Sequence, residues 1–237
     1  MRDFVPAGTA PLTLRSGAFE GTGEGRNICV VTVLPGIAAA LVRQNGDVWL
    51  ATQVAHHSGD PSSDLAEALR LGLAGYPGDS VVMPLPSGSG PRLQDVVDLD
   101  ADFEVSVLAG FDFWFDAVDD TDGSVAATLE QLNSSIDPTT RLASVPAAYW
   151  TSVGTKEHLR WVMPYDEEPL LSALARLHVA GADRLSPHSR LVGSFRAHGL
   201  LVPVWDLPVG TGANATKETT EAVVGRLGDA PTKTDAV

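Results

Sequence analysis

The sequence predicts an α+β protein: antiparallel sheets built from β-hairpins, with helices packed on them, and a tandem repeat of one hairpin–helix unit. Three observations carry this. Asn45-Gly46 sits between two apolar runs, the strongest short-range hairpin signal. Leu65, Leu69 and Leu73 then recur every fourth residue behind Asp60-Pro61, a capped amphipathic helix. The same order returns downstream, with Gly46 and Gly154 lying 108 residues apart, Ala68-Leu69 and Ala173-Leu174 105 apart, and Gly75 and Gly181 106 apart.

In chain order, residues 1–27 are rich in Gly, Pro and Thr and read as an N-terminal arm, with a strand-like stretch at Leu12–Leu14. A first α+β unit covers 28–138. It opens on a buried strand, Ile28–Leu34 (ICVVTVL), continuous and β-branched. The hairpin follows, Ala38–Arg43 and Val48–Val54, then the helix ending at Gly75. Phe103–Phe115 alternates as a long strand, and Asp116–Gly123 breaks it. Val125, Leu129, Leu132 and Ile136 mark a second helix capped by Asp122 or Ser124.

A second α+β unit covers 139–208. Ala147–Val153 and His158–Met163 flank a turn at Gly154-Thr155-Lys156, and Asp166-Glu167-Glu168-Pro169 opens a helix carrying Leu170, Leu174 and Leu177. For residues 190–207 both helix and hairpin are open readings. Two glycines and Pro203, with His198-Gly199 between two apolar runs, favour the hairpin. Residues 209–237 lack aromatics and read as a flexible tail, with room for a short helix near Thr219–Leu227.

The chain has 237 residues, 44% hydrophobic and 19% charged, with a net charge of −14. Nucleic acid is not an expected partner, because phosphate contacts need clustered Lys and Arg; nor is an anionic membrane surface. No apolar run is long enough to span a bilayer, and Met1-Arg2-Asp3-Phe4 starts no signal-peptide core. The cytoplasm is the expected location. The single cysteine, Cys29, sits in an apolar run and excludes an internal disulfide or a cysteine-built zinc site.

No cluster meets the requirements of a catalytic or metal site, and no cofactor is expected. His56 and His57, with Asp60 and Asp64, hold the residue types for a metal or a base–acid pair, but adjacent residues on an extended segment point to opposite faces. Asp112, Asp116, Asp119, Asp120 and Asp122 resemble a calcium loop. Aligning Gly123 with that loop's glycine, however, puts Val118 and Leu129 at its two anchoring positions. Ser87-Gly88-Ser89-Gly90-Pro91-Arg92 lacks the Lys and Ser/Thr of a phosphate cradle. Arg196 and His198, facing Trp205 and Asp206 across the proposed turn, form a candidate recognition patch, with simple cross-strand Arg–Asp pairing as its bland counterpart.

The segments HLRWVMP (158–164), LVGSFRAHGLLVPVWDLP (191–208), SGDPSSDLAEAL (58–69) and GPRLQD (90–95) resemble an actinobacterial family of uncharacterised proteins. Its members are often labelled SecA-like because of a short cysteine-rich SEC-C zinc motif near their N-termini. That motif is absent here: either this member lacks the zinc module or the module has been removed. In relatives that carry it, the motif implies a zinc-dependent contact with another protein. The resemblance brings no activity, substrate or catalytic residue. The expected role is therefore non-enzymatic protein binding, as an adaptor or accessory protein. The alternative is a small-molecule sensor or enzyme with a site between the two units, in which His56, His57, Arg196, His198 and Asp206 would gather.

Overall fold

The computed structural model describes residues 4–19, 22, 25–82, 90–114 and 123–227. The chain divides into two compact units, Met1–Ile136 and Asp137–Val237. The first contains β1 (Gly8–Leu12), β2 (Ile28–Val31), β3 (Ala40–Val42), β4 (Val48–Ala51), α1 (Pro61–Ala74), β5 (Ser80–Val81), α2 (Leu93–Val96), β6 (Ser106–Val107) and α3 (Ser124–Ser134). The second contains β7 (Thr139–Arg141), β8 (Ala148–Val153), β9 (Lys156–Trp161), α4 (Glu167–Val179), β10 (Arg190–Ala197), β11 (Leu200–Leu207) and α5 (Gly212–Leu227). The α+β class is as predicted, with two mostly antiparallel sheets.

In the first unit the sheet order is β5-β3-β4-β2-β1-β6. β2 and β4 run parallel; the other pairs are antiparallel. β4 is buried along its whole length, because both faces of the sheet are covered and so select a continuous apolar run. On one face Val48 and Leu50 meet Ala68, Leu69 and Leu73 of α1; on the other Trp49 packs with Leu34 and Leu41 and, at 5.5 Å between rings, with Phe113. Asp60 caps α1 as expected, its Oδ1 accepting from the Ser62 and Ser63 amides at 3.1 and 3.2 Å. The far end of α1 is held by Arg26, whose Nη1 donates to the carbonyls of Gly72, Leu73 and Gly75, a cationic C-cap.

Three expectations for this unit are corrected. The N-terminal arm supplies an interior strand: β1 pairs with β2 along Thr9–Leu12 and with β6 through Gly8 and Thr9. Pro11 is tolerated because β6 does not extend to it, so its missing N–H faces no partner strand. The long strand over Phe103–Phe115 shrinks to Ser106–Val107. Past Gly110 the chain bends into a 3-10 turn at Asp112–Trp114, since the Phe111 amide is taken by Asn133 Oδ1 at 2.8 Å and Phe111, Phe113 and Trp114 pack on one another. At α3, Ser124 is the first helical residue and the N-cap is Gly123, left-handed at φ 75°. Asp122, Phe115, most of the calcium-like run and residues 86–89 of the glycine-rich loop lie outside the described residues.

The second unit is a fully antiparallel sheet in the order β10-β11-β9-β8-β7. Leu159, Trp161, Leu201, Trp205 and Leu207 of the sheet share one core with Leu170, Ala173, Leu174 and Leu177 of α4 and Val223 of α5. Residues 190–207 are a hairpin, as favoured. His198 and Gly199 both have positive φ, 49° and 82°, the signature of a two-residue I′ turn whose twist matches the strands. Where a flexible tail with a short helix near Thr219–Leu227 was expected, the helix starts earlier, at Gly212, and ends at Leu227. The segment is helical because Thr216, Thr220 and Val223 are buried and because its first turn is tied to β9 by Glu157. A hairpin followed by a helix occurs in both units, as β3-β4-α1 and β8-β9-α4. Their surroundings differ, since the parallel β2–β4 pair has no counterpart in the second sheet, and duplication stays a proposal.

Candidate functional site

His56 and His57 lie on the exposed connection between β4 and α1. Around them the acids have local structural work. Asp60 caps α1 and meets Arg92 Nε at 3.1 Å; the Arg92 hydrogen bond, with the Ser63 and Ser62 amides, holds its carboxyl below the usual range. Asp64, buried, accepts from the Ser58 amide at 3.0 Å. Among the described residues no His, Cys, Asp and Glu group is arranged to hold a metal.

The other four candidates sit on the β10–β11 hairpin, but in different environments. Trp205 points into the core, fully buried, with Nε1 donating to the Asp183 carbonyl at 2.7 Å. Its neighbour Asp206 points to the opposite face, as strand alternation requires. Arg196 stands opposite Leu201, not Asp206. It makes a bidentate pair with Glu167 at the start of α4, Nε to Oε2 at 2.7 Å and Nη2 to Oε1, which lowers the Glu167 carboxyl. His198 is in the turn and exposed, so alternation does not place it on the face of Arg196.

What Asp206 meets was missed in the sequence. Arg190 is directly opposite it on β10, with Nη2 3.5 Å from Oδ2, and His158 on β9 brings Nδ1 to 2.9 Å from Oδ1, close enough for an ion pair but without hydrogen-bond alignment. The row continues across the sheet through Thr151 and Thr139, whose hydroxyls are 3.1 Å apart. His158 lies out of phase with Leu159 and Trp161, and that alternation was the available signal.

Glu157 also escaped notice. It is buried on the core face of β9, where its carboxylate accepts from Trp150 Nε1 at 2.9 Å and from the amides of Gly210 and Gly212 at 2.6 and 2.8 Å. Burial alone would raise its pKa, but these three donors hold it below the ordinary glutamate range. Adjacent to β1 and β2 in the first unit is a cavity of about 840 Å³ lined by Leu12, Leu14, Arg15, Phe19 and Arg26. Both arginines there donate to backbone carbonyls, Arg15 Nε to Val97 at 2.8 Å and Arg26 as described.

The second unit has one long sheet edge, β10. Among the described residues, three of the four edges of the two sheets are short: β5 and β6 have two residues each and β7 three. β10 has eight, and six of these are exposed, among them Val192 at 44% and Phe195 at 38%. A family model, DUF5926, described as a family of unknown function, matches residues 1–237. The chain belongs to the DUF5926 family. Its model covers both units from end to end and assigns them no activity. No curated protein and no solved structure matches the chain. Among the described residues of this DUF5926 member, no helix is long and apolar enough to cross a membrane.

Proposed function

We propose that this protein is a non-enzymatic adaptor of the cytoplasm that binds another protein by adding an extended segment to β10. The carrying observation is the eight-residue exposed edge. Natural sheets keep free edges short, or blunt them with charge and bulges, because an open ladder invites pairing. Among the described residues three edges are short, and the long one carries a bulge near one end and two arginines but keeps a regular stretch from Gly193 to Ala197. The two-residue turn makes Ala197 and Leu200 a hydrogen-bonded pair, so along the regular stretch of β10 the alternate residues, Ser194 and Arg196, aim N–H and C=O away from β11. Val192 and Phe195 add apolar surface beside that ladder. This is the geometry of strand addition, in which main-chain bonds give affinity and alternate side chains give specificity.

The sensor or enzyme alternative has less behind it, because the cavity beside β1 has its arginines engaged with backbone carbonyls. The test is Ser194→Pro. Proline there removes an outward N–H while leaving the β10–β11 ladder intact. Proteins retained by the wild-type chain should be lost by this variant at unchanged circular dichroism. Retention of the same set by both would overturn the proposal.

A further inference from the structure

We infer that the segment β10 receives is acidic, an extended stretch of another protein that carries Asp or Glu towards both of its ends. This rests on the strand-addition reading above. The chain as a whole carries −14, yet residues 184–199 hold Arg184, His188, Arg190, Arg196 and His198 and no acid. Arg190 and Arg196 stand near the two ends of β10 and frame Val192 and Phe195. Their side chains are 76% and 65% exposed. A guanidinium has five donors in a planar fork. Arg196 gives two of them to Glu167, and Arg190 meets Asp206 only at 3.5 Å, so both retain donors for a second carboxylate.

The irregularity of β10 argues against a second copy of this chain as the occupant. Because of the bulge, the two arginines stand on opposite faces of the sheet, Arg190 beside Asp206 and Arg196 opposite Leu201 of the core face. The bulge between Leu191 and Gly193 limits self-pairing, because it twists one end of the edge out of register. An acidic strand can bring one carboxylate to each guanidinium, on either face of the sheet. Glu167 and Asp206 already offset part of this charge, so each end contributes through the donors its arginine has left.

The experiment is selection of random octapeptides, displayed as a library, on the full chain, followed by fluorescence anisotropy of the enriched peptides. Enriched peptides should carry an excess of Asp and Glu over the input pool. They should bind roughly fivefold to thirtyfold more weakly to the Arg190→Ser/Arg196→Ser double variant and lose binding to Ser194→Pro. Slowed hydrogen exchange at the Ser194 and Arg196 amides on peptide binding reports the same contact in the unsubstituted chain. Enriched peptides that protect those amides but show no acidic excess, or bind the double variant equally well, would overturn the acidic occupant and leave strand addition standing. No protection of those amides by any enriched peptide would overturn both. Self-association of the chain that Ser194→Pro abolishes would make the occupant a second copy and also overturn the inference.

Discussion

Replacing Glu157 should unfasten α5 from the second sheet. The carboxylate accepts three hydrogen bonds, from Trp150, Gly210 and Gly212, and it sits at the positive end of a 16-residue helix. Hydrogen bonds to a charged acceptor contribute about 1.5–3 kcal/mol each. Gly210 is exposed and can turn to water, so the full sum is not lost. Glu157→Ala should cost about 3 kcal/mol, a large share of a domain stability of about 5–15 kcal/mol. Glu157→Gln keeps an acceptor oxygen without the charge and should cost about 1–2 kcal/mol. Urea unfolding followed by the fluorescence of Trp150, Trp161 and Trp205, with hydrogen exchange along α5, measures both. The pH dependence has a definite sign. The folded state holds the Glu157 carboxyl below its ordinary range, so its stabilisation is complete at neutral pH and fades as pH falls through the acid range. Glu157→Gln should flatten that acid limb. A loss under about 0.5 kcal/mol for Glu157→Ala, or an acid limb unchanged in Glu157→Gln, would refute the account.

Three further outcomes can be checked. Gly72→Ala would place a Cβ 2.7 Å from Val48 Cγ1 and 3.4 Å from Ala40 Cβ; overpacking should outweigh the gain in helix propensity and leave a net loss of about 1 kcal/mol by urea unfolding, and a net gain would show that α1 can lift off the sheet freely. Gly199→Ala, at φ 82°, should lose about 1–2 kcal/mol and Gly199→Asn clearly less, with equal losses counting against an I′ turn. Burial pushes the Cys29 thiol up, so alkylation at pH 8 should run roughly tenfold or more slower than in denatured chain, and an equal rate would contradict that burial.

Local signals in the sequence reached well into the fold. The hairpin at Asn45-Gly46, the Asp60 cap and the hairpin at His198-Gly199 each depend on residues within a few positions of one another, and each is where it was expected. Failures came where distant residues decide. Nothing near Gly8 says that Val107 will pair with it. Alternation over Phe103–Phe115 was overruled by Asn133 taking the Phe111 amide. A Thr- and Ala-rich tail became α5 because Glu157, 53 and 55 positions before the glycines it binds, caps it. At the candidate site the residue types were legible but the register was not, so Arg196 was matched with Asp206 when Arg190 holds that position.

The polar row Arg190, Asp206, His158, Thr151 and Thr139 crosses all five strands of the second sheet. It works as a ruler for strand alignment. Sliding β11 by one residue would turn Asp206 toward Leu159, Leu174 and Trp161 and bring Trp205 out of the core, and burying an unpaired carboxylate there costs several kcal/mol. Strands carrying only Val and Leu could slide with little resistance. β10 is aligned to this row through Arg190, so the spacing between its two arginines is fixed before any partner arrives, and a partner's own charges must match that spacing rather than reset it.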